Sequence, residues 1–214
     1  MPAKTKTSQI ESQLAAAEKA MKAAHWFEAE RKSLTALDTA IAAEAYGLAA
    51  DATLPLQEAR RQRTLMAIDA CDGAPNILDQ VEPELETVDP GVHLLIPHAV
   101  AADARRMRVA AIQNEVPMIA VCREPDTRAG EVPIVAIGEV TVRTYVSPPE
   151  DPESPSLEWL LAAMEALGDA AIARHELEVR GPQRIAALRN ALDSVPEHEK
   201  LHQALAEALR KAAG

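Results

Sequence analysis

Cysteine and aromatic residues are scarce in this chain of 214 residues, and each scarcity excludes a class of protein. Cys71 and Cys122 are too few and too far apart for a disulfide framework or a cysteine-ligated metal site. Aromatic residues make up 2% of the chain, whereas 43 residues are alanine. Because each alanine buries little apolar area, we expect closely packed helices and a thin core.

Long apolar runs and a secretory signal are also missing. No stretch reaches the roughly 18 apolar residues that a membrane span needs. The first residues, MPAKTKTSQIES, carry positive charge, but no apolar segment follows them. Together with the few cysteines, this predicts a cytoplasmic protein that does not interact with a membrane.

The net charge of −11 arises from two acidic, proline-rich stretches. Residues 69–90 contain seven acidic residues and residues 147–158 contain four, and neither stretch contains lysine or arginine. This composition is typical of solvated linkers. The sequence therefore predicts five regions: helices over 1–73, a linker over 74–90, a small α/β module over 91–147, a linker over 148–156 and helices over 157–214.

The N-terminal region has the periodicity of helices. Apolar residues recur at helical spacing over 10–24 and again over 27–48, with a short break around Trp26. Helices joined this closely are expected to form an antiparallel hairpin. We expect a third helix to begin near Thr53, with Pro55 in its first turn.

The stretch HWFEAERKSLTALDTA resembles the second half of a tetratricopeptide repeat. The matching positions are Trp26, then Glu28 and Ala29, then Ala36 and Leu37. No second copy is visible at the period of about 34 residues that this family has. The resemblance implies a helical surface that binds proteins, with Trp26 as a contact. With the motifs EARRQR and VAIGEVTVR, this start also resembles uncharacterised bacterial proteins, which implies no particular activity.

The motif EARRQR places three arginines on the third predicted helix. Arg60, Arg61 and Arg63 are candidates for an interaction surface that contacts an anion, a nucleic acid or a protein. Since neither a glycine-rich loop nor an aromatic platform accompanies them, the preferred interpretation is a solvated helix face near Glu58. The acidic balance of the whole chain also argues against nucleic-acid binding.

The module over residues 91–147 contains four predicted strands. Residues 92–98, VHLLIPH, and 116–122, VPMIAVC, are typical of buried strands, and the segment between them has helical periodicity. This order predicts a right-handed parallel strand–helix–strand unit. Two more strands, over 132–137 and 140–146, form a hairpin with a two-residue turn.

The predicted fold class follows from these elements. It is a mixed α+β or α/β fold, in which helical hairpins at both ends flank a small mixed sheet of about four strands. A strand–helix–strand unit and a β-hairpin together make up that sheet. Because alanine-rich helices build only a thin layer, we expect them to finish burying their apolar stripes against another protein surface.

The carboxyl ends of the two predicted parallel strands carry the candidate site residues, because ligands bind beyond such ends in open α/β sheets. Cys122 and His98 provide a thiol and a base, the minimum for covalent thiol catalysis. Asp103, Arg123 and Glu124 are candidate ligand-binding residues at the same edge. No orienting third residue or oxyanion hole is recognisable, so a structural role for Cys122 is the preferred interpretation.

The segment from HLLIPH to VPIVAIG resembles the ribosomal proteins that bind RNA kink-turns. The shared features are a strand, a helix, a VP dipeptide before the next strand and a late VVAI-like strand. The LG segment and the glycine-rich helix start of that family are missing. The resemblance implies RNA binding, for which Arg105, Arg106 and Arg108 are further candidates, on a helix face that we expect to point largely outward.

The C-terminal region predicts three helices, separated at Gly181 and at Pro196. The last two are expected to form a hairpin. Within them the motif HEKLH, which contains His198 and His202, matches the zinc-binding pattern H-E-x-x-H. Because the neighbours are charged and no third ligand follows, the preferred interpretation is a solvated helix face. We predict neither a metal nor a cofactor.

Three functions remain open from the sequence, and the third of them is RNA binding through Arg60, Arg61 and Arg63 or through Arg105, Arg106 and Arg108. The first is a self-associating adaptor or scaffold that binds a protein partner, with no catalytic activity evident. It rests on the mismatch between long apolar stripes and few large side chains. The alternative is a small-molecule-binding or thiol-dependent enzymatic α/β domain, with its site at the carboxyl edge of the parallel strands.

Overall fold

The computed structural model describes residues 3–178 and 181–214 as helices around one open sheet, and the predicted α+β class is confirmed. Residues 1 and 2, the start of the predicted N-terminal region, lie outside the described residues, as do 179 and 180. The helices of the described part are α1 (Ala3–Lys22), α2 (Trp26–Ala42), α3 (Tyr46–Asp69), α4 (Ala101–Gln113), α5 (Leu157–Glu178), α6 (Pro182–Ser194) and α7 (Glu199–Ala213). The strands are β1 (Asn76–Leu78), β2 (Gly91–Leu95), β3 (Met118–Arg123), β4 (Val132–Ile137) and β5 (Thr141–Val146).

Two tight turns of the same kind connect α1, α2 and α3. In each turn a residue with positive φ, Ala24 or Glu44, follows the helix. The next amide then donates to the carbonyl oxygen five residues earlier, at 2.9 Å in both turns. This is the Schellman arrangement, which usually has glycine at the positive-φ position. Because these turns contain no glycine, the second of them left no signal in the sequence.

The prediction that the third helix begins near Thr53 is therefore wrong. The helix begins at Tyr46, and Pro55 lies inside it rather than in its first turn. The predicted second helix was correspondingly too long, because Leu48 belongs to α3. None of the helices within residues 3–178 and 181–214 is long and apolar enough to cross a membrane.

The sheet has the strand order β1-β2-β3-β4-β5. Strands β1, β2 and β3 are parallel, with α4 connecting β2 to β3, and β4 and β5 join antiparallel. The predicted strand–helix–strand unit and hairpin are thus confirmed. The short strand β1 is additional, and it was missed because it lies in the acidic, proline-rich stretch over 74–90.

That acidic stretch also packs on the sheet. Val81, Leu85 and Val88 contact the apolar cluster between the sheet and α4. The guanidinium of Arg106 donates to the carbonyl oxygens of Glu82 and Pro83, at 3.1 and 2.7 Å. Apolar residues spaced along this stretch hold it against the module, although its charge favours solvent.

The hairpin turn between β4 and β5 is longer than predicted. It spans residues 138–140, and the φ of Gly138 lies outside the left-handed region. Glycine is required there for another reason, since a Cβ atom at Gly138 would lie 2.6 Å from Oδ2 of Asp193. The same carboxylate oxygen accepts a hydrogen bond from the amide of Glu139 at 3.1 Å. The turn is thus fitted against the end of α6.

Both faces of the sheet are covered, as the continuous apolar runs of its central strands require, because successive side chains point to opposite faces. Ile119 and Val121 face the large core formed with the N- and C-terminal helices, whereas Ala120 and Cys122 face α4. The large core extends from Ile10 in α1 to the leucines of α7, and α3 packs along α7. One core therefore crosses the boundaries between the regions predicted from the sequence.

Gly168 in α5 tests the packing of α5 against the start of α7, and Gly47 in α3 is the comparison. A Cβ atom at Gly168 would overlap the imidazole ring of His198, whereas a Cβ atom at Gly47 would have no atom within 4 Å. Alanine is normally more stable than glycine in a helix by about 0.5–1 kcal/mol. We expect Gly47→Ala to raise the free energy of unfolding by up to about 1 kcal/mol, and Gly168→Ala to lower it by about 1–3 kcal/mol. Urea denaturation measures both, and a stabilised Gly168→Ala protein would contradict this packing.

Candidate functional site

The predicted catalytic pair is not assembled at the carboxyl edge of the parallel strands. Cys122 is 1% exposed and faces α4, whereas His98 lies in an exposed loop. The hydrogen bonds and ion pairs of the described residues include none between these two side chains. Burial, with a smaller effect from the charges of Glu124 and Asp103, raises the pKa of Cys122 to about 11. The thiol is therefore protonated at neutral pH, which does not suit a nucleophile.

The three candidate ligand-binding residues at this edge already have partners. Asp103 accepts a hydrogen bond from the amide of Val100 at the start of α4, at 2.9 Å. Hydrogen bonding from Arg106 is the main reason why the pKa of Asp103 is lowered. The ion pairs are Asp103 with Arg106 at 2.7 Å, Arg123 with Asp126 at 3.0 Å and Glu124 with Arg143 at 2.7 Å. These side chains stabilise the loops of the edge.

A cavity of about 230 Å³ lies at the opposite end of the sheet. The first residues of β3, Met118 and Ile119, form its floor, together with the turn at Gly138 and Glu139. Helices α2, α3 and α4 and the segment between α6 and α7 enclose it. We call it the arginine cavity, after the five arginines in its lining: Arg31, Arg60, Arg63, Arg105 and Arg108.

Helices α2 and α4 line the arginine cavity with faces of the same spacing. On each helix, four residues at positions i, i+3, i+4 and i+7 line the cavity, as one face of an α-helix does. Both faces combine arginine with apolar side chains. They are Phe27, Glu30, Arg31 and Leu34 on α2, and Arg105, Arg108, Val109 and Ile112 on α4.

Glu30 binds two arginines of α3. Nε of Arg60 donates to its Oε1 at 2.8 Å, and Nη1 of Arg63 donates to its Oε2. Burial raises the pKa of Glu30, but the charges and hydrogen bonds of Arg60 and Arg63 outweigh burial and lower it. The guanidinium of Arg63 also lies over the ring of Phe27, 4.3 Å from its centroid. Glu30 is thus a charged carboxylate shared by two cations.

Arg60 extends this network to the C-terminal helices. It is only 6% exposed, and its Nη1 lies 3.5 Å from the carbonyl oxygen of Leu192 and 3.4 Å from Nε2 of His202. Nδ1 of His202 lies 3.0 Å from the carbonyl oxygen of His198, so Nδ1 carries the proton and Nε2 accepts from Arg60. Burial, followed by the charge of Arg60, lowers the pKa of His202 to about 3.

Arg108 is held in the arginine cavity by carbonyl oxygens. It donates to Ser194 at 2.7 Å and to Ile137 at 2.6 Å, and no ion pair with a carboxylate is found for it among the described residues. Burial lowers its pKa, although the charges of Glu197 and Asp193 act in the opposite direction. Its Nε is buried without a hydrogen-bond partner from the described protein, as is Nε of Arg63. Arg108 can therefore donate at least one further hydrogen bond, from Nε.

The arginine cavity concentrates arginines in an acidic protein. Five arginines and four carboxylates, from Glu30, Glu139, Asp193 and Glu197, line it, and Arg31 also pairs with Glu115 at 2.6 Å, whereas the net charge of the chain is −11. Glu30 is shared by two arginines, and Arg105 lies 3.8 Å from Glu139 at a half-exposed position. This arrangement attracts an anion.

The interaction residues predicted from the sequence occupy different environments. The solvated-face interpretation is wrong for Arg60 and Arg63, which are buried against Glu30. It holds for Arg61, which pairs with Glu58 at 2.7 Å on the helix surface. Trp26 begins α2 and is partly exposed, outside the lining of the arginine cavity.

The sequence did contain a signal for this site. Glu30 lies three residues after Phe27 and four before Leu34, on the apolar stripe of its helix. A carboxylate in such a position has to be buried with a cation, because an unpaired buried charge is costly. Arg108 has the same relation to Ile112 on α4, where the outward orientation that we predicted is also wrong.

The prediction that HEKLH lies on a solvated helix face is wrong, because both histidines are buried. His198 is the N-cap of α7, and its Nδ1 accepts a hydrogen bond from the amide of Leu201 at 3.2 Å. Its Nε2 lies 3.3 Å from Asp169 and 3.4 Å from Glu165, both on α5. His202 instead turns its Nε2 to α3, so the two imidazoles do not converge.

Asp169, Glu165 and His198 form a group of potential metal ligands, but their chemistry favours an ion cluster. Nδ1 of His198 accepts a hydrogen bond, so the proton of the neutral ring is on Nε2. A protonated Nε2 cannot bind a metal. The ammonium of Lys200 also contacts both carboxylates, at 2.7 and 3.1 Å. The cation of this group is therefore Lys200, and the group fixes the start of α7 on α5.

Comparison with protein-family models, curated proteins and solved structures finds no significant match for this chain. The resemblances to tetratricopeptide repeats and to kink-turn-binding ribosomal proteins stay predictions. The function is therefore argued from the residues of the arginine cavity.

The neutral, buried imidazole of His202 makes stability depend on pH. Its pKa is about 3 in the folded protein against an ordinary value of 6.5, so the unfolded chain binds more protons between these values. The contribution of the neutral His202 to the free energy of unfolding is complete above pH 6.5. It is lost as the pH falls toward 3, by about 1.4 kcal/mol per pH unit.

We expect His202→Gln to remove this part of the pH dependence. Between pH 7 and pH 5 the native protein should lose about 2 kcal/mol more of its unfolding free energy than the variant does. Urea denaturation at both pH values measures the difference. Burial also lowers the pKa of His93. Because both proteins contain His93, its effect cancels in the comparison. Equal losses would contradict a neutral His202.

Proposed function

We propose that this protein binds a small organic anion in the arginine cavity. The observation that carries the proposal is that three largely buried guanidiniums, Arg60, Arg63 and Arg108, line the arginine cavity, whereas Glu30 is the one buried carboxylate among the described residues of its lining. Two of these guanidiniums share that carboxylate, and the third has carbonyl oxygens as its acceptors. A bound anion would pair with the N–H donors of Arg63 and Arg108 that have no hydrogen-bond partner among the described residues.

The energetics support this proposal. Removing a cation from water is costly unless an anion compensates it, and carbonyl dipoles compensate only in part. A planar guanidinium offers paired N–H donors that match the two oxygens of a carboxylate. In a partly enclosed site these charge-assisted hydrogen bonds are stronger than in water. Binding an anion would therefore recover part of the cost of burying Arg63 and Arg108.

The lining favours binding over covalent catalysis. Among the described residues of the arginine cavity there is no cysteine, serine, histidine or lysine, and the one hydroxyl side chain is that of Thr64. The nearest imidazole, that of His202, has Nε2 directed to Arg60 and Nδ1 to the carbonyl oxygen of His198. The proposed function is thus small-molecule binding, as in the alternative hypothesis from the sequence. The proposed site lies at the amino end of β3 instead of the carboxyl edge of the parallel strands.

Self-association and a protein partner stay predictions. Several large apolar side chains are exposed, among them Leu54, Leu65 and Met66 on α3. Exposed apolar side chains are common on proteins that do not associate, so they do not favour this function over anion binding. The adaptor hypothesis is compatible with a ligand in the arginine cavity.

Arg105 provides the sharpest test of the proposed function. Its guanidinium is half-exposed. Its ion pair with Glu139 is long, at 3.8 Å, and therefore weak, so Arg105→Gln should not disturb the fold. A hydrogen bond to a charged group contributes about 1.5–3 kcal/mol, so we expect the variant to bind its best anion at least tenfold more weakly. Acetate, phosphate and benzoate are titrated by isothermal titration calorimetry.

The matched control for this test is Arg210→Gln. Arg210 is exposed in the last turn of α7, outside the arginine cavity. The control should bind as the unchanged protein does. Equal losses in both variants would indicate a general charge effect, and no saturable binding of any anion would contradict the proposal.

A further inference from the structure

The arginine cavity has an apolar side as well as a cationic one. Leu34 of α2, Val109 and Ile112 of α4 and the first residues of β3 form this side. Val109 and Ile112 are 48% and 41% exposed, and both line the arginine cavity. A ligand that carries an apolar body next to its charge would cover both of them.

The charges of the lining favour an anion with a single charge. One of its five arginines, Arg31, pairs with Glu115 at 2.6 Å, so the other four arginines face the four carboxylates of the lining. Three of those carboxylates lie on the side toward Arg105 and Arg108: Glu139 on the β4–β5 turn, Asp193 at the end of α6 and Glu197 between α6 and α7. They would repel the second charge of a dianion such as hydrogen phosphate.

The backbone of α4 and of the turn at Gly138 has no features of a phosphate site. Helix α4 contributes residues from its second turn to its last, Arg105 to Ile112, and not the N-terminal turn where its dipole is positive. The glycine of the lining, Gly138, uses its amide to donate to the carbonyl oxygen of Val140 at 3.0 Å. A phosphate is normally bound by free amides at a helix N-terminus or in a glycine-rich loop.

We infer that the ligand is a small monocarboxylate with an apolar body, of the size of an aromatic or branched-chain acid. This inference rests on the proposed function, because it names the ligand class of the same site. The carboxylate lies among Arg63, Arg105 and Arg108, and the body lies on Val109 and Ile112. The volume of about 230 Å³ equals roughly eight water molecules at about 30 Å³ each, which suits a molecule such as benzoate.

Four probes separate charge from apolar body. Benzoate has both features, benzamide has the body without the charge, acetate has the charge without the body, and inorganic phosphate has a larger charge. Isothermal titration calorimetry on the full chain gives the dissociation constant of each probe. We expect benzoate to bind at least tenfold more tightly than each of the other three.

A substitution on the apolar side gives a second readout. Val109→Thr keeps the shape of the side chain and adds a hydroxyl group at a partly exposed position. It should weaken benzoate binding by about threefold and leave acetate binding unchanged, because acetate has no body to lie on Val109. Arg210→Gln is again the control for both probes.

The outcomes distinguish the inference from the proposed function. If phosphate or acetate binds as tightly as benzoate, the monocarboxylate class is wrong while anion binding stands. Benzamide equal to benzoate would overturn both, since the arginines would then play no part. Binding of none of the four probes would likewise overturn both. An unchanged benzoate affinity in Val109→Thr would contradict the placement of the apolar body.

Discussion

The buried carboxylate of Glu30 is the interaction on which the rest of the structure depends. It binds Arg60 and Arg63 and so joins α2 to α3. Arg60 then reaches the carbonyl oxygen of Leu192 and the imidazole of His202, which belong to the C-terminal helices. A chain with thin, alanine-rich helices thereby gains a polar connection between its N-terminal and C-terminal layers, where few large side chains are available for packing.

The same connection creates the arginine cavity. Two guanidiniums on one carboxylate leave positive charge in excess, and Arg108 adds a third cation that has carbonyl partners. A purely structural network would be expected to balance its charges, because an uncompensated buried cation destabilises the fold. The imbalance, together with the exposed apolar face of α4, is what favours a ligand of opposite charge with an apolar body.

Periodicity in the sequence was enough to predict the elements but not their environments. Apolar runs such as VPMIAVC predict the buried strands and the hairpin, and helical spacing of apolar residues predicts α4. The turn at Glu44 was missed because a Schellman turn without glycine resembles continuing helix, and β1 was missed because acidic residues surround it. Arg60 was assigned to solvent, although Glu30 on the apolar stripe of α2 was a visible hint. Which helix faces which is decided by tertiary packing, so the sequence could indicate a buried charge on α2 but not the helices that enclose the cavity with it.

A double-mutant cycle at Glu30 and Arg60 tests this account most directly. The free energies of unfolding of Glu30→Gln, Arg60→Met and the double variant are measured by urea denaturation. We predict that Glu30→Gln alone costs about 3–5 kcal/mol, since it leaves two buried cations without their anion. The double variant should cost less than the sum of the single variants by at least about 1 kcal/mol. Single losses below about 1 kcal/mol that simply add would contradict the central role of Glu30.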